Sequence, residues 1–228
     1  MIKTKNVTKT YQMGEVELQV IKDLNLCIEY GEFVAIVGPS GSGKSTVLNL
    51  LGCLDQASTG EVIVEETNIT TLNRTELANF RGKYIGFIFQ SFNLIPVLSV
   101  YENIEYPLIM IQDLPKEERD QRIMQLLKDV DMLDQKDKYP DQLSGGQRQR
   151  VAIARALVTK PKIVFADEPT ANLDTKTSQQ IISLMRNIQK EFNTTFIFAT
   201  HDEKIVTEVD RIITIVDGSI TDDKRTSL

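Results

Sequence analysis

Tryptophan is absent, histidine occurs once and cysteine twice in 228 residues. No Cys/His cluster has zinc-ligand spacing, so a zinc module is excluded. Cys27 and Cys53 lie among apolar neighbours (Leu26 and Ile28; Leu51 and Leu54). That setting reads as two buried reduced thiols and not as a disulfide. No apolar stretch approaches the roughly 18 residues that a membrane-spanning helix needs. Basic charge is in deficit, with 26 Lys and Arg against 32 Asp and Glu and a net charge of -6. No basic stripe is visible, so no nucleic-acid partner is expected. Met1-Ile2-Lys3-Thr4-Lys5-Asn6 lacks the pattern of a secretory signal and leads into a strand-like stretch. A cytoplasmic protein is expected, whose only access to a membrane is through a partner.

What is present is ordinary globular composition, 41% hydrophobic and 25% charged. The length suits one domain, 1–228, or one domain with a lobe inserted into it. The first thirty residues alternate, with Leu18, Val20, Leu24, Leu26 and Ile28 suggesting short antiparallel strands around a turn. Phe33–Val37 is a continuous apolar run, the mark of a strand buried on both faces. Similar runs stand at Ile85–Phe89, Ile163–Ala166, Phe196–Ala199 and Ile212–Val216, with helical periodicity at Val151–Val158 and Lys176–Glu191. Strands alternating with helices predict an α/β fold with a mostly parallel sheet. Asp217-Gly218 predicts a two-residue hairpin turn near the end. Residues 91–158 lack strand runs before Val151, and Pro115 opens a helical pattern with Ile123, Leu126, Leu127 and Val130 on one face. The division expected is a core of 1–90 and 159–228 with a helical lobe, 91–158, inserted between its parts.

Gly38-Pro39-Ser40-Gly41-Ser42-Gly43-Lys44-Ser45 fits G-x-x-x-x-G-K-[ST], with a strand before it and a helix after it. Glycines let the backbone curl until several N–H groups face one anion, and the helix adds its positive end. Lys44 brings a point charge to the outer phosphates, and Ser45 offers a hydroxyl to Mg²⁺. A second apolar strand ends in Asp167-Glu168. Asp167 is placed to hold the metal through a water. Glu168, as the next residue along a strand, is expected to point the other way and to serve the attacking water.

A further glycine turn, Leu143-Ser144-Gly145-Gly146-Gln147, opens the helix through Val151, Ala152, Ala154, Ala156 and Leu157. It is again a helix N-terminus suited to an anion. One chain thus carries two phosphate-facing turns but one lysine-and-metal set. Two copies head to tail, each lending its second turn to the other's nucleotide, use all of them.

Leu143–Gln147 followed by Arg148-Gln149-Arg150-Val151-Ala152-Ile153-Ala154-Arg155-Ala156 resembles the signature of ABC (ATP-binding cassette) ATPases, and the order of the other motifs matches over essentially the whole chain. The resemblance implies a P-loop NTPase core with an N-terminal antiparallel β subdomain and an inserted helical lobe, which binds ATP with Mg²⁺ in a sandwich of two copies. It implies that Gln90 reaches Mg²⁺ and couples to the lobe, and that Asp174, in Ala171-Asn172-Leu173-Asp174, crosses the dimer interface. Tyr11 falls where the family stacks an aromatic ring on adenine. His201 corresponds to the family's switch histidine at the γ-phosphate. Catalysis is then assigned to Glu168, His201, Lys44 and Gln90, and metal contact to Ser45, Gln90 and Asp167. Nucleotide contact falls to Tyr11, Gly38, Pro39, Ser40, Gly41, Ser42, Gly43, Lys44, Ser45 and Thr46, with Ser144, Gly145, Gly146, Gln147 and Asp174 contributed across the dimer.

Gly31–Val37, Leu50–Asp55, Gly86–Pro96 and Glu102-Asn103-Ile104 are similar to the MacB/LolD branch, the ATPases of macrolide exporters, lipoprotein-releasing systems and peptide exporters. That likeness implies an integral-membrane permease with an extracytoplasmic domain, and a subunit peripheral on the inner face of the cell membrane. A second reading within the family is a signalling or cell-division ATPase that moves no substrate; the identity of the partner separates the two. A soluble family member acting on DNA or ribosomes does not fit one acidic cassette without a long insert. The stretch after Gln90 is unusually apolar for a loop (Phe92, Leu94, Ile95, Val97, Leu98, Tyr101, Ile104, Tyr106, Leu108, Ile109). Part of it is expected to line a groove for a cytoplasmic helix of the permease.

Overall fold

Alternation over the first thirty residues builds two long strands, β1 (Ile2–Met13) and β2 (Val16–Ile28), paired antiparallel from Ile2↔Ile28 to Met13↔Val16. They are longer than the short strands expected, because breaks in register between Thr4 and Thr10 let one ribbon curl without ending. The structure is a computed structural model that describes residues 2–14 and 16–226. Then follow β3 (Phe33–Val37), α1 (Lys44–Leu51), β4 (Thr59–Val64), β5 (Thr67–Asn68), α2 (Arg74–Tyr84) and β6 (Ile85–Ile88). Next come α3 (Val100–Ile111), α4 (Lys116–Asp129), α5 (Gly145–Leu157) and β7 (Ile163–Asp167). The chain closes with α6 (Thr175–Phe192), β8 (Thr195–Ala199), α7 (Glu203–Val206), β9 (Arg211–Val216) and β10 (Ser219–Arg225).

A four-stranded antiparallel sheet has the order β2-β1-β4-β5, and a six-stranded sheet the order β10-β9-β3-β8-β7-β6. The five strands from β9 to β6 run parallel, and β10 is the one antiparallel edge. Asp217 (φ 47°) and Gly218 (φ 81°) make the β9–β10 turn, with both residues left-handed as a two-residue hairpin of matching twist requires.

The pleat sorts each parallel strand between two cores. Phe33, Ala35, Val164, Ala166, Phe196 and Phe198 face one cluster, which contains the apolar sides of α3, α4, α5 and α6. Val34, Ile36, Ile163, Phe165, Ile197 and Ala199 face the other, which α1 and the antiparallel sheet complete. This is why the sequence shows unbroken apolar runs here and not alternation. Phe33, Phe165, Phe196 and Phe198 have no exposed surface; each such burial contributes about 1.5–3 kcal/mol.

Three details depart from the sequence reading. The stretch after Gln90 is not a loop throughout: Ser99 and Glu102 form a capping box, and α3 runs from Val100 despite Pro107 within it. Leu94 packs against the core, while the exposed apolar side chains are those of Val97, Tyr106, Ile109, Met110 and Ile111. Cys53 is buried but Cys27 only half-buried, its thiol 3.5 Å from Glu29 Oε1, because position 27 lies on the outer face of β2 between buried Leu26 and Ile28. No helix among the described residues is long and apolar enough to cross a membrane.

Candidate functional site

Because β3, β6, β7 and β8 are parallel and adjacent, the residues that follow them meet along one carboxyl edge. That edge is where open α/β sheets present ligand-binding loops. The Gly38–Gly43 loop leaves β3, Gln90 follows β6, Asp167 closes β7, and Thr200-His201 follow β8.

Two glycines are required by geometry. A Cβ on Gly38 would lie 2.0 Å from the Ile215 carbonyl oxygen, and Gly43 has φ 101° with Ile21 against it. Lys44 Nζ folds back to donate to the Gly38 and Pro39 carbonyls, both at 2.9 Å, so its charge sits over the loop. Asn73, Ser99, Ser144 and Asp174 cap α2, α3, α5 and α6 with their side chains, whereas α1 starts at Gly43 with no side-chain cap. The first-turn N–H groups of α1, at Ser45 and Thr46, are therefore left without a side-chain acceptor, as are those of α4.

Ser45 Oγ donates to Asp167 Oδ1 at 3.0 Å, which brings the two oxygens expected at the metal together. Burial pushes the Asp167 carboxyl above its usual range, the Ser45 hydrogen bond opposes this, and neighbouring Glu168 adds to the rise.

Glu168 sits where expected but for a different reason. It does not continue the strand. Its backbone turns left-handed (φ 45°), its N–H donates to the Ala199 carbonyl at 2.9 Å, and its side chain thereby swings toward the end of β8. There Oε1 lies 2.6 Å from His201 Nδ1, and Oε2 accepts from Thr200 Oγ at 3.2 Å. The Thr200 hydroxyl in turn accepts from Asp202 N–H, and Asp202 Oδ2 accepts from Thr170 Oγ at 2.6 Å. Thr170, Thr200 and Asp202 carry no motif and escape the sequence reading; their nearness in sequence to His201 and Glu168 is the one signal that could have found them. The His201 side chain is 75% exposed, so its ring projects past the sheet edge while Nδ1 is held.

Gln90 is exposed beside the ends of β6 and β7, and its carbonyl accepts from Asn172 Nδ2 at 2.9 Å. Tyr11 is tethered near α1. Its hydroxyl donates to Asp55 Oδ2 at 2.7 Å, and Lys9 Nζ, itself 2.6 Å from Asp55 Oδ1, stands 4.6 Å over its ring. Burial and the hydrogen bond to Asp55 raise the phenol pKa, and nearby Thr46 opposes them.

The second glycine turn is built differently. Ser144 and Gln147 cap each other, and the first intrahelical bond is Arg148 N–H to Ser144 O, so the N–H groups of Gly145 and Gly146 precede the ladder. The turn rests on the start of α6. A Cβ on Gly146 would come within 2.5 Å of Thr177 Cγ2, and one on Gly145 within 3.4 Å of the Asn172 carbonyl oxygen. Asp174 accepts from Thr177 N–H at 3.0 Å and from its hydroxyl at 2.5 Å. Among the described residues no hydrogen bond joins Ser144–Gln147 to the Gly38–Ser45 loop. Gly38–Thr46, Asp167, Glu168 and His201 thus share one end of the sheet, Gln90 follows β6 at the same edge with its carbonyl bonded to Asn172, and Ser144–Gln147 rest with Asp174 and Thr177 in a second group.

A family model described as ABC transporter matches residues 21–171. The chain is 48% identical over 223 residues to the uncharacterized ABC transporter ATP-binding protein MJ0796 of Methanocaldococcus jannaschii, covering 96% of this chain and 95% of that protein. It is 42% identical over 220 residues to the lipoprotein-releasing system ATP-binding protein LolD of Francisella tularensis, covering 96% and 95%. It is 45% identical over 223 residues to the macrolide export ATP-binding/permease protein MacB of Pasteurella multocida, covering 98% of this chain but 34% of that longer protein. Among solved structures it superposes with TM-score 0.92 and 46% identity on a dimeric, post-hydrolysis state of the MJ0796 cassette bound to ADP and Pi, over 99% of this chain and 98% of the other.

Proposed function

Because the chain belongs to the ABC transporter family of ATP-binding proteins, we propose that this ATP-binding, ATP-hydrolysing subunit works as a homodimer that closes on two nucleotides to drive a separate integral-membrane permease. The observation that carries the reading is the division of the site. Lys44, Ser45, Asp167, Glu168 and His201 stand at one sheet edge, while the Ser144–Gln147 turn rests on Asn172 and on Thr177 at the start of α6. Two-fold pairing that sets the Ser144–Gln147 turn of one copy over the phosphate loop of the other completes both sites.

In each site the Gly38–Gly43 N–H groups, Lys44 and the start of α1 bind the phosphates, and Tyr11 packs on the adenine. The oxygens of Ser45 and Asp167, 3.0 Å apart, suit a hard cation that keeps phosphate and water ligands, so the residues present fit Mg²⁺, with Gln90 as the further donor. Bound there, Mg²⁺ supplies charge neutralisation on the β- and γ-phosphates. Glu168 takes a proton from the attacking water. His201 stands at the γ-phosphate with its Nδ1 2.6 Å from Glu168 Oε1, so histidine and base keep one relative position. Gly145 and Gly146 N–H groups meet the γ-phosphate from the opposite copy, and Asp174 lies at the same junction.

Residues 91–158 form the lobe that moves with nucleotide, through Gln90 and its link to Asn172. Between α2, β6, α3 and the end of α5 runs a groove of ≈ 830 Å³. It receives a cytoplasmic helix of the permease, which keeps the subunit on the inner face of the membrane. Export or extraction in the manner of the MacB and LolD relatives is the work proposed, with a permease bearing an extracytoplasmic domain.

Glu168→Gln tests the sandwich. ATP binding is expected to persist and turnover to fall about 10²–10⁴-fold, the usual contribution of a general base. Light scattering is expected to show monomer without ATP and dimer with it. Near-normal steady-state hydrolysis rules out the role of Glu168, and equal dimerisation with and without ATP rules out the sandwich.

A further inference from the structure

The charges of that groove are of one sign. Arg81, Lys83 and Arg155 line it, and no carboxylate does. None of the three meets an internal counter-charge among the described residues. Arg81 donates to the Cys53 carbonyl at 2.7 Å, and Lys83 lies 4.9 Å over the Tyr84 ring. Arg155 donates to the carbonyls of Phe92 at 2.7 Å and Asn93 at 2.5 Å. Burial pulls the Arg155 guanidinium pKa down, which records a cation removed from water without an anion to compensate it. Carbonyl contacts occupy two of its five N–H donors, so the fork still has donors to offer.

Around these cations the walls are apolar. Phe87 and Phe89 come from β6 and the residue after it, and Pro107, Met110 and Ile111 from α3. Met110 is 65% and Ile111 46% exposed, in a protein whose net charge is -6. A cationic, apolar cleft on an acidic molecule is matched by a segment with an apolar face and a carboxylate.

We propose that the groove recognises a carboxylate on an amphipathic cytoplasmic segment of the membrane partner, and that Arg155 is its receptor. This rests on the reading of the chain as a subunit that docks on a permease. The geometry gives the contact a consequence. Phe92 (φ 61°) and Asn93 (φ 49°) form a left-handed turn two and three residues beyond Gln90, and Arg155 holds that turn from α5, the helix that begins at Ser144. A carboxylate that engages the remaining donors shares one guanidinium with the two carbonyls that hold this turn. Docking is thereby connected to the turn that follows Gln90 and to the helix that carries the second anion turn.

The test uses the complex of this chain with the integral-membrane protein that co-purifies with it, reconstituted in lipid nanodiscs. Each Glu and Asp in the partner's cytoplasmic loops is changed to its amide, and affinity for the wild-type chain is measured. One position is expected to weaken binding about 30-fold or more, as loss of one member of a desolvated charge pair does. Arg155→Gln is expected to weaken binding to the wild-type partner similarly, and to add less than about threefold against that one partner variant. If Arg155→Gln does not fold, Arg155→Lys takes its place in the cycle and is expected to show the same coupling at reduced size, because a cation remains without the fork. A scan in which no acid matters overturns the proposal, as does an acid whose effect is independent of Arg155. Met110→Glu separates the two ideas: if it leaves affinity unchanged, the groove is not the docking surface and the underlying reading fails; if it abolishes binding while the acid scan is flat, the groove stands and the carboxylate does not.

Discussion

Gly146 sits so close to Thr177 that a single methyl group there must move the start of α5. In Gly146→Ala the new Cβ falls 2.5 Å from Thr177 Cγ2, whereas carbon contacts settle near 3.5–4.0 Å. The methyl cannot rotate away, because the other branch of Thr177 is tied to Asp174 Oδ2 at 2.5 Å and its N–H to Oδ1 at 3.0 Å. The start of α5 must therefore shift by about 1 Å against α6, an overpacking that costs about 1–3 kcal/mol. For a chain of this size that is a fall in melting temperature of about 2–12 °C. Thr177→Ser removes only the offending methyl and keeps the hydroxyl on Asp174. The next atoms, Thr177 Cβ and Oγ, then lie 3.8 and 3.9 Å from the new Cβ, which is ordinary contact. In that background alanine is expected to be neutral or to stabilise by up to about 1 kcal/mol, from its higher helix propensity. Thermal denaturation of the four proteins gives the coupling directly, and about 1–4 kcal/mol is expected. A coupling under about 0.5 kcal/mol, the level of independent sites, refutes the claim that the second anion turn is seated on Thr177.

Lys44→Ala removes the charge over the phosphate loop. ATP affinity or turnover is expected to fall at least about tenfold, and values close to wild type in both show that the loop has another task. Asp210 is held below the usual carboxylate range first by its hydrogen bonds to Arg186, and Asp223 likewise by Arg211. A carboxyl lowered in the folded state contributes stability above its unfolded value, about 3.9, and loses it as pH falls through the folded value. Melting temperature is therefore expected to be flat near neutrality and to drop below about pH 4; Asp210→Asn, which lacks the titrating group, is expected to be less stable at pH 7 and to lose less on acidification. Met110→Glu, on an exposed position of the groove, is expected to leave hydrolysis by the isolated subunit within about twofold and to reduce co-purification with the permease severely. Unchanged co-purification places the coupling surface elsewhere.

Local features of this molecule were legible along the chain because local chemistry encodes them. Gly38–Ser45 is one contiguous stretch, so residue types and spacing alone announce a phosphate cradle. The parallel strands showed themselves as unbroken apolar runs, since each had two faces to bury. Asp217-Gly218 named its own turn. What lay beyond the sequence depends on contacts between distant segments. That Ser45 meets Asp167 follows from β3 and β7 ending on one edge of the sheet, with β8 between them. Glu168 was assigned its task by strand alternation, yet a left-handed backbone and a bond to Ala199 aim it at His201; no residue type signals that turn, because glutamate is not a residue that favours it. The apolar stretch after Gln90 carried helix and core signals together, and only packing separates buried Leu108 from exposed Met110, two residues further along the same helix. Arg155 lies within a stretch that reads as a family signature, and its helical spacing marks it as the polar break in a buried face. That it emerges as a cation without a counter-charge in a groove is a property of four elements brought together by the fold, which no one of them encodes.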